Sequence, residues 1–219
     1  MPRTPAARMT CAPHRSARTS FTTAWWREFS QGAPLTSPAY RPLRLVPGPE
    51  LMTQLARALT ATDGATGAHC IHELWMRRDL SVSIDEVLER LWKRTARSIP
   101  HWLPMRDIEW LPLVYEVAAR FQPNRRGRTN IYLVLLDYSD SRDEPHAVYV
   151  GMSRYSPEQR FDQHKAGIRA AGSVLRRGLE VLTGPTLHLQ NIKRCDAARI
   201  EGELAQALRA AGLFVQGGH

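Results

Sequence analysis

No stretch of this 219-residue chain is both apolar and long enough to cross a bilayer. A spanning helix needs about 18 or more such residues, and the strongest runs here, such as Ile131–Leu136, are strand-sized. Cysteine is scarce. Cys11, Cys70 and Cys195 are scattered and odd in number, which excludes a disulfide framework and a paired-cysteine zinc site and points to a reducing, cytoplasmic setting. Lysine is nearly absent, with 3 against 27 arginines, and no acidic residue precedes Glu28. The net charge of +9 is therefore unevenly spread. Residues 1–60 hold eight arginines against two acids, whereas 61–127 hold ten basic against nine acidic residues and 128–219 hold twelve against ten. That balance is compatible with a polyanionic partner, yet most of the excess sits in the leading arm and not around the folded part.

What is present divides the chain in three. Residues 1–60 read as a disordered Arg/Pro-rich arm. Their acid-poor start has the composition of an organellar transit peptide and lacks the apolar core of a secretory signal. Regular patterning begins at Met52, an alternative start, with a short helix over Leu51–Leu59 and a linker by composition over Thr60–Gly67. Residues 61–127 read as a helical extension packing on the core. In it His69-Cys70-Ile71-His72-Glu73 offers metal-ligand types, but Met76 stands where a zinc helix would need its second histidine, so a helix carrying polar residues is the better reading. Ser83-Ile84-Asp85-Glu86 is a capping box opening a helix toward Ser98, and the prolines at 104 and 112 break the apolar segment that follows. Arg125, Arg126 and Arg128 lie in a turn-rich link where phosphate contact competes with plain solvation.

Residues 128–219 carry the densest signals. Asn130–Asp137 and His146–Met152 are β-branched and aromatic runs separated by the polar Tyr138–Pro145, the pattern of a hairpin with a long loop. Ser156, Pro157 and Gln159 form a second capping box, and Gly167 closes the helix it opens. Arg160 and His164, four residues apart, share one face of that helix. Helical spacing returns over Arg169–Leu182; Thr186–Gln190 alternates as a short third strand; Asp196 can cap a last helix, with Glu201 beside its apolar stripe and Glu203 pointing away. Phosphodiester chemistry asks for such groups: a tyrosine as proton carrier, an arginine fork on phosphate oxygens, and one carboxylate for Mg²⁺.

Asn130-Ile131-Tyr132 followed by Tyr149-Val150-Gly151, with Arg160 and His164 on the next helix and Glu201 on a later one, resembles the GIY-YIG nuclease superfamily over about residues 129–215. The resemblance implies an α+β fold, a small three-stranded antiparallel sheet flanked by helices. It implies a metal-dependent endonuclease acting on nucleic acid, DNA in preference to RNA, with a single Mg²⁺ or Mn²⁺ on Glu201. On that pattern Tyr132 is the base, Tyr149 positions water or phosphate, Arg160 stabilises charge on the phosphate, and His164 assists proton transfer or holds the phosphate. The sequence departs from the pattern at Asn130 in place of glycine, at Val150 in place of isoleucine, and in having no asparagine after Glu201, Gln216 being the nearest amide. The alternative is a catalytically inactive module of the same fold that binds nucleic acid or a protein partner.

Overall fold

The computed structural model describes residues 41–78 and 82–218. The arm read over residues 1–40 lies outside them. The arm's expected boundary at residue 60 is too late, because Gly48–Thr60 is a helix, α1, whose Leu51, Leu55 and Leu59 are buried. Regular structure thus begins before Met52. Nor is Thr60–Gly67 a linker throughout: the Asp63 carboxylate accepts from the Thr66 amide and caps α2, Gly64–Arg77. Helix α3, Ile84–Thr95, is capped by Ser83 as the sequence suggests, and α4 follows at Leu111–Ala118.

The metal-like run in α2 is helix, and its polar groups are spent on structure. His72 packs edge-on against Tyr115 and Trp102, with ring centroids 4.9 and 5.5 Å apart, and burial lowers its pKa to about 3. Glu73 is 1% exposed and receives Arg41 at 2.6 and 2.9 Å and Arg77 at 2.7 Å. Arg77 also donates to the carbonyls of Leu43 and Val46, so one carboxylate fastens residues 41–46 to α2. Glu73→Ala leaves two arginines facing a buried void and is expected to cost about 3 kcal/mol in urea unfolding, the usual penalty for breaking a buried ion pair from one side.

The second half holds the sheet. Strands β1 (Asn130–Asp137) and β2 (His146–Ser153) pair antiparallel, then come α5 (Pro157–Lys165) and α6 (Gly172–Arg177), β3 (Gly178–Val181), a 3₁₀ helix (Gly184–Leu189), α7 (Arg194–Ala210) and β4 (Val215–Gly217). The fold is α+β, with a four-stranded mixed sheet in the order β3-β1-β2-β4 flanked by helices. That corrects the three-stranded antiparallel expectation twice. Of the helix expected over Arg169–Leu182 only Gly172–Arg177 forms, because the backbone at Gly178 turns to the extended region at ψ 122° and continues as β3. β4 comes from the supposed tail and runs parallel to β2. Thr186–Gln190 is no strand: Pro185 starts a 3₁₀ turn, and every residue from Gly184 to Leu189 is buried, so its alternation reflects no exposed face. Asp196 does not cap α7, which starts two residues earlier; it sits in the first turn, where its charge still suits the helix N-terminus.

Both faces of β1 are covered, which explains its unbroken apolar run. Ile131, Leu133 and Leu135 belong to one large core with Val148 and Val150, and that core continues without a break through α7, α4 and α1–α3. The 61–127 segment therefore shares its core with the sheet. Tyr132, Val134 and Leu136 face the other way, toward Val174 and Phe161 of α6 and α5. Among the described residues no helix is long and apolar enough to cross a membrane.

Candidate active site

The α5 face of the sheet brings two strand tyrosines and a helix histidine together. β1 and β2 pair Tyr132 with Gly151 and Val134 with Tyr149, so the tyrosines are diagonal neighbours on one face. Their ring centroids are 6.0 Å apart, and that of His164 lies 6.1 Å from Tyr132 and 5.9 Å from Tyr149. Gly151 makes the arrangement possible. A Cβ there would stand 2.6 Å from Cζ and Oη of Tyr132 and 2.7 Å from Cε1 of Tyr149. A lone glycine inside a strand pattern signals such a close approach. Gly151→Ala is expected to push Tyr132 aside, costing about 2 kcal/mol and lowering the melting temperature by about 5 °C in calorimetry.

Helix α5 holds its position through the reciprocal Ser156–Gln159 capping box expected from sequence. His164 is 1% exposed, and both its ring nitrogens are engaged. Nδ1 accepts the Ala171 amide proton at 2.9 Å, and Nε2 lies 2.9 Å from the Tyr132 hydroxyl. With Nδ1 an acceptor, the proton of the neutral ring sits on Nε2 and is donated to Tyr132 Oη. Burial, then the Arg160 charge, lowers the His164 pKa to about 4 and keeps the ring neutral. A histidine so fastened orients Tyr132, with its Nε2 proton directed at the hydroxyl. Burial foremost pushes the Tyr132 phenol above its ordinary value, with Tyr149 adding to the rise and Arg160 opposing it. Tyr149 is likewise raised, mainly by burial, with Glu201 contributing and Arg160 opposing.

Arg160 and Glu201 thus both act electrostatically on this tyrosine pair. Arg160 also braces the α5–α6 loop, donating to Gln163 Oε1 at 3.1 Å and to the carbonyls of Ile168 and Arg169 at 3.2 and 2.8 Å. Gly167 and Arg169 bend that loop with φ of 77° and 46°. Glu201 is 9% exposed on the face of α7 that packs against β2 and β4, while Glu203 pairs with Arg199 at the surface, as its position on the helix implies. Among the described residues no group of three or more His, Cys, Asp or Glu side chains is arranged to hold a metal ion. A cation at Glu201 would have a single carboxylate and keep most of its waters, which suits Mg²⁺.

Two amides singled out in the sequence lie on the strands beside these residues. Asn130 uses its amide as a bracket. Nδ2 donates to the Tyr155 carbonyl at 2.9 Å, and Oδ1 accepts the Asn191 amide at 2.9 Å. Gln216 lies opposite Tyr149 in the β2–β4 ladder. Arg125 is turned inward to the Gln190 carbonyl, leaving Arg126 and Arg128 as the exposed cations of their link. Comparison with protein-family models, curated proteins and solved structures finds no match to this chain.

Proposed function

We propose that this chain is a metal-dependent endonuclease of the GIY-YIG type that hydrolyses phosphodiester bonds, with DNA as substrate. The observation carrying this reading is the meeting of Tyr132, Tyr149 and His164 on one sheet face, within electrostatic reach of both Arg160 and Glu201. Tyr132, Tyr149 and His164 come from three elements, and the Arg160 and Glu201 charges both act on Tyr149, which supports the order of residues in the resemblance. In the mechanism the phenolate form of Tyr132, steadied by the Nε2 proton of His164, accepts a proton from the attacking water. Tyr149 orients the water or a phosphate oxygen. Arg160 neutralises charge gathering on the phosphoryl oxygens. Glu201 would hold Mg²⁺ or Mn²⁺, which when bound polarises a phosphoryl oxygen.

The test is nicking of supercoiled plasmid by the full chain with Mg²⁺ or Mn²⁺, stopped by a chelator. A preparation that nicks equally well with chelator, or never nicks, overturns the reading. One observation favours the alternative of an inactive binding module: the Arg160 guanidinium already serves two backbone carbonyls. That version shows salt-sensitive DNA binding with no turnover.

A further inference from the structure

Beside Tyr149 the surface opens into a cleft of about 440 Å³ whose walls include Tyr138, Ser173, Arg176, Arg177 and Gln216. That volume lies within the range of about 300–1,000 Å³ typical of small-ligand sites. The cleft touches the proposed active site through the Tyr149 ring and leads away from it between α6 and β4. Its cations differ in an informative way. Arg177 is committed: it pairs with Asp140 at 2.6 and 3.2 Å, donates to the Asp137 carbonyl, and lies 4.3 Å over the Tyr138 ring. Arg176 has no ion pair, and its guanidinium no hydrogen bond, among the described residues. Its Nη2 lies 3.6 Å from where a Cβ on Gly172 would stand, so the guanidinium folds over Gly172 at the edge of the cleft. Ser173 and Gln216 likewise have side-chain polar groups with no protein partner among the described residues, and both line the same space. Tyr138 stacks edge-on against Phe214 at 4.9 Å, and Phe214 carries Arg142 at 4.0 Å over its ring, so a basic and aromatic strip continues outward.

We propose that this cleft binds the nucleotide next to the scissile bond, its phosphate held by Arg176 and Ser173 and its base edge met by the Gln216 amide. A strand so held would run from the Tyr132–Tyr149 pair across Gly172 toward Tyr138 and Phe214. An uncommitted arginine beside an aromatic wall is the chemistry that recognises a single-stranded polynucleotide. This inference rests on the proposed function, but its test is a binding measurement that needs no turnover.

The experiment is fluorescence anisotropy of a labelled single-stranded DNA oligonucleotide with the full chain in chelator, over a salt series. Arg176→Gln is expected to weaken binding about tenfold and to reduce the slope of log K against log salt by about one. Arg176→Lys keeps a point charge and restores most of the affinity. Lys93→Gln, which removes a positive charge from an ion pair with Glu89 on α3, leaves binding unchanged. Equal affinity and slope in wild type and Arg176→Gln would overturn the inference, as would a loss of the same size in Lys93→Gln. If the wild type nicks DNA with metal and Arg176→Gln binds equally well, the cleft assignment alone falls. If the oligonucleotide does not bind the wild type, the assignment falls as well. Binding with the expected Arg176 dependence but no nicking retains the cleft and removes the nuclease reading.

Discussion

Glu201→Gln is expected to lower plasmid nicking about a thousandfold while leaving the melting curve nearly unchanged. Glu201 lies on the buried face of α7 between Ile200 and Leu204, both in the main core, and its charge acts on Tyr149. The glutamine has the same shape, so α7 keeps its packing. What is lost in the proposed mechanism is the anion that holds the cation. Lewis-acid polarisation of a phosphoryl oxygen is worth several kcal/mol, and about 4 kcal/mol is about three powers of ten in rate. The loss has to appear in the rate at saturating DNA, because Glu201 contributes nothing to gripping a polyanion. If Glu201→Gln retained wild-type nicking, the metal would be elsewhere or absent and the mechanism would be wrong. Loss of nicking together with a large drop in melting temperature would instead point to the interaction Glu201 makes within the fold. Circular dichroism on the same samples separates the two outcomes.

The parts of this protein that are legible in its sequence are those with local signals strong enough to stand alone. β1 is eight residues and buried on both faces, so its run Ile131–Leu136 reads as a strand whatever lies around it. The Ser156–Gln159 box marks the start of α5 because both of its hydrogen bonds are made within four residues. β3 and β4 are different. With four and three residues they are too short to show a period, and they exist because β1 and β2 offer open edges. Gly217 and Gly218, at φ of 76° and 75°, resemble a tail in sequence, yet a side chain at Gly217 would collide with the Val150 carbonyl and one at Gly218 with Ala205. Their smallness is what lets β4 lie between β2 and α7.

The site follows the same division. Arg160 and His164 can be placed together from their spacing, and the two tyrosines from their strands. That His164 is locked to Ala171 is not visible, since that bond crosses a loop whose shape depends on Arg160 holding Ile168 and Arg169. The cleft beside Tyr149 is also invisible, because it is walled by a six-residue helix and a three-residue strand that meet only in the fold.

Tyr132→Phe is expected to reduce nicking about 10²–10⁴-fold, the range for loss of a positioned proton carrier, and to change the shape of the pH–rate profile. Burial holds the Tyr132 phenol well above its ordinary value, so near neutral pH only a small fraction is phenolate. If the phenolate takes the proton from water, that fraction grows tenfold for each unit of pH. The wild-type rate should then rise with a log–log slope near one from pH 6.5 to 9, and the Phe variant should lose that slope. The lower limit of this range is set by stability. His164 has a folded pKa of about 4 against an ordinary 6.5, so below 6.5 the unfolded chain takes up the proton first, and stability falls as pH drops toward 4. His72, His69 and His188 are lowered by burial in the same sense and deepen that fall. From about one pH unit above 6.5 all four are essentially neutral in both states, and rate changes there report on the site. A Phe variant that kept both the wild-type rate and its slope would remove Tyr132 as the base. The remaining hydroxyl of the pair, on Tyr149, would then be the group to replace, and there too burial would give the profile the same rising sign.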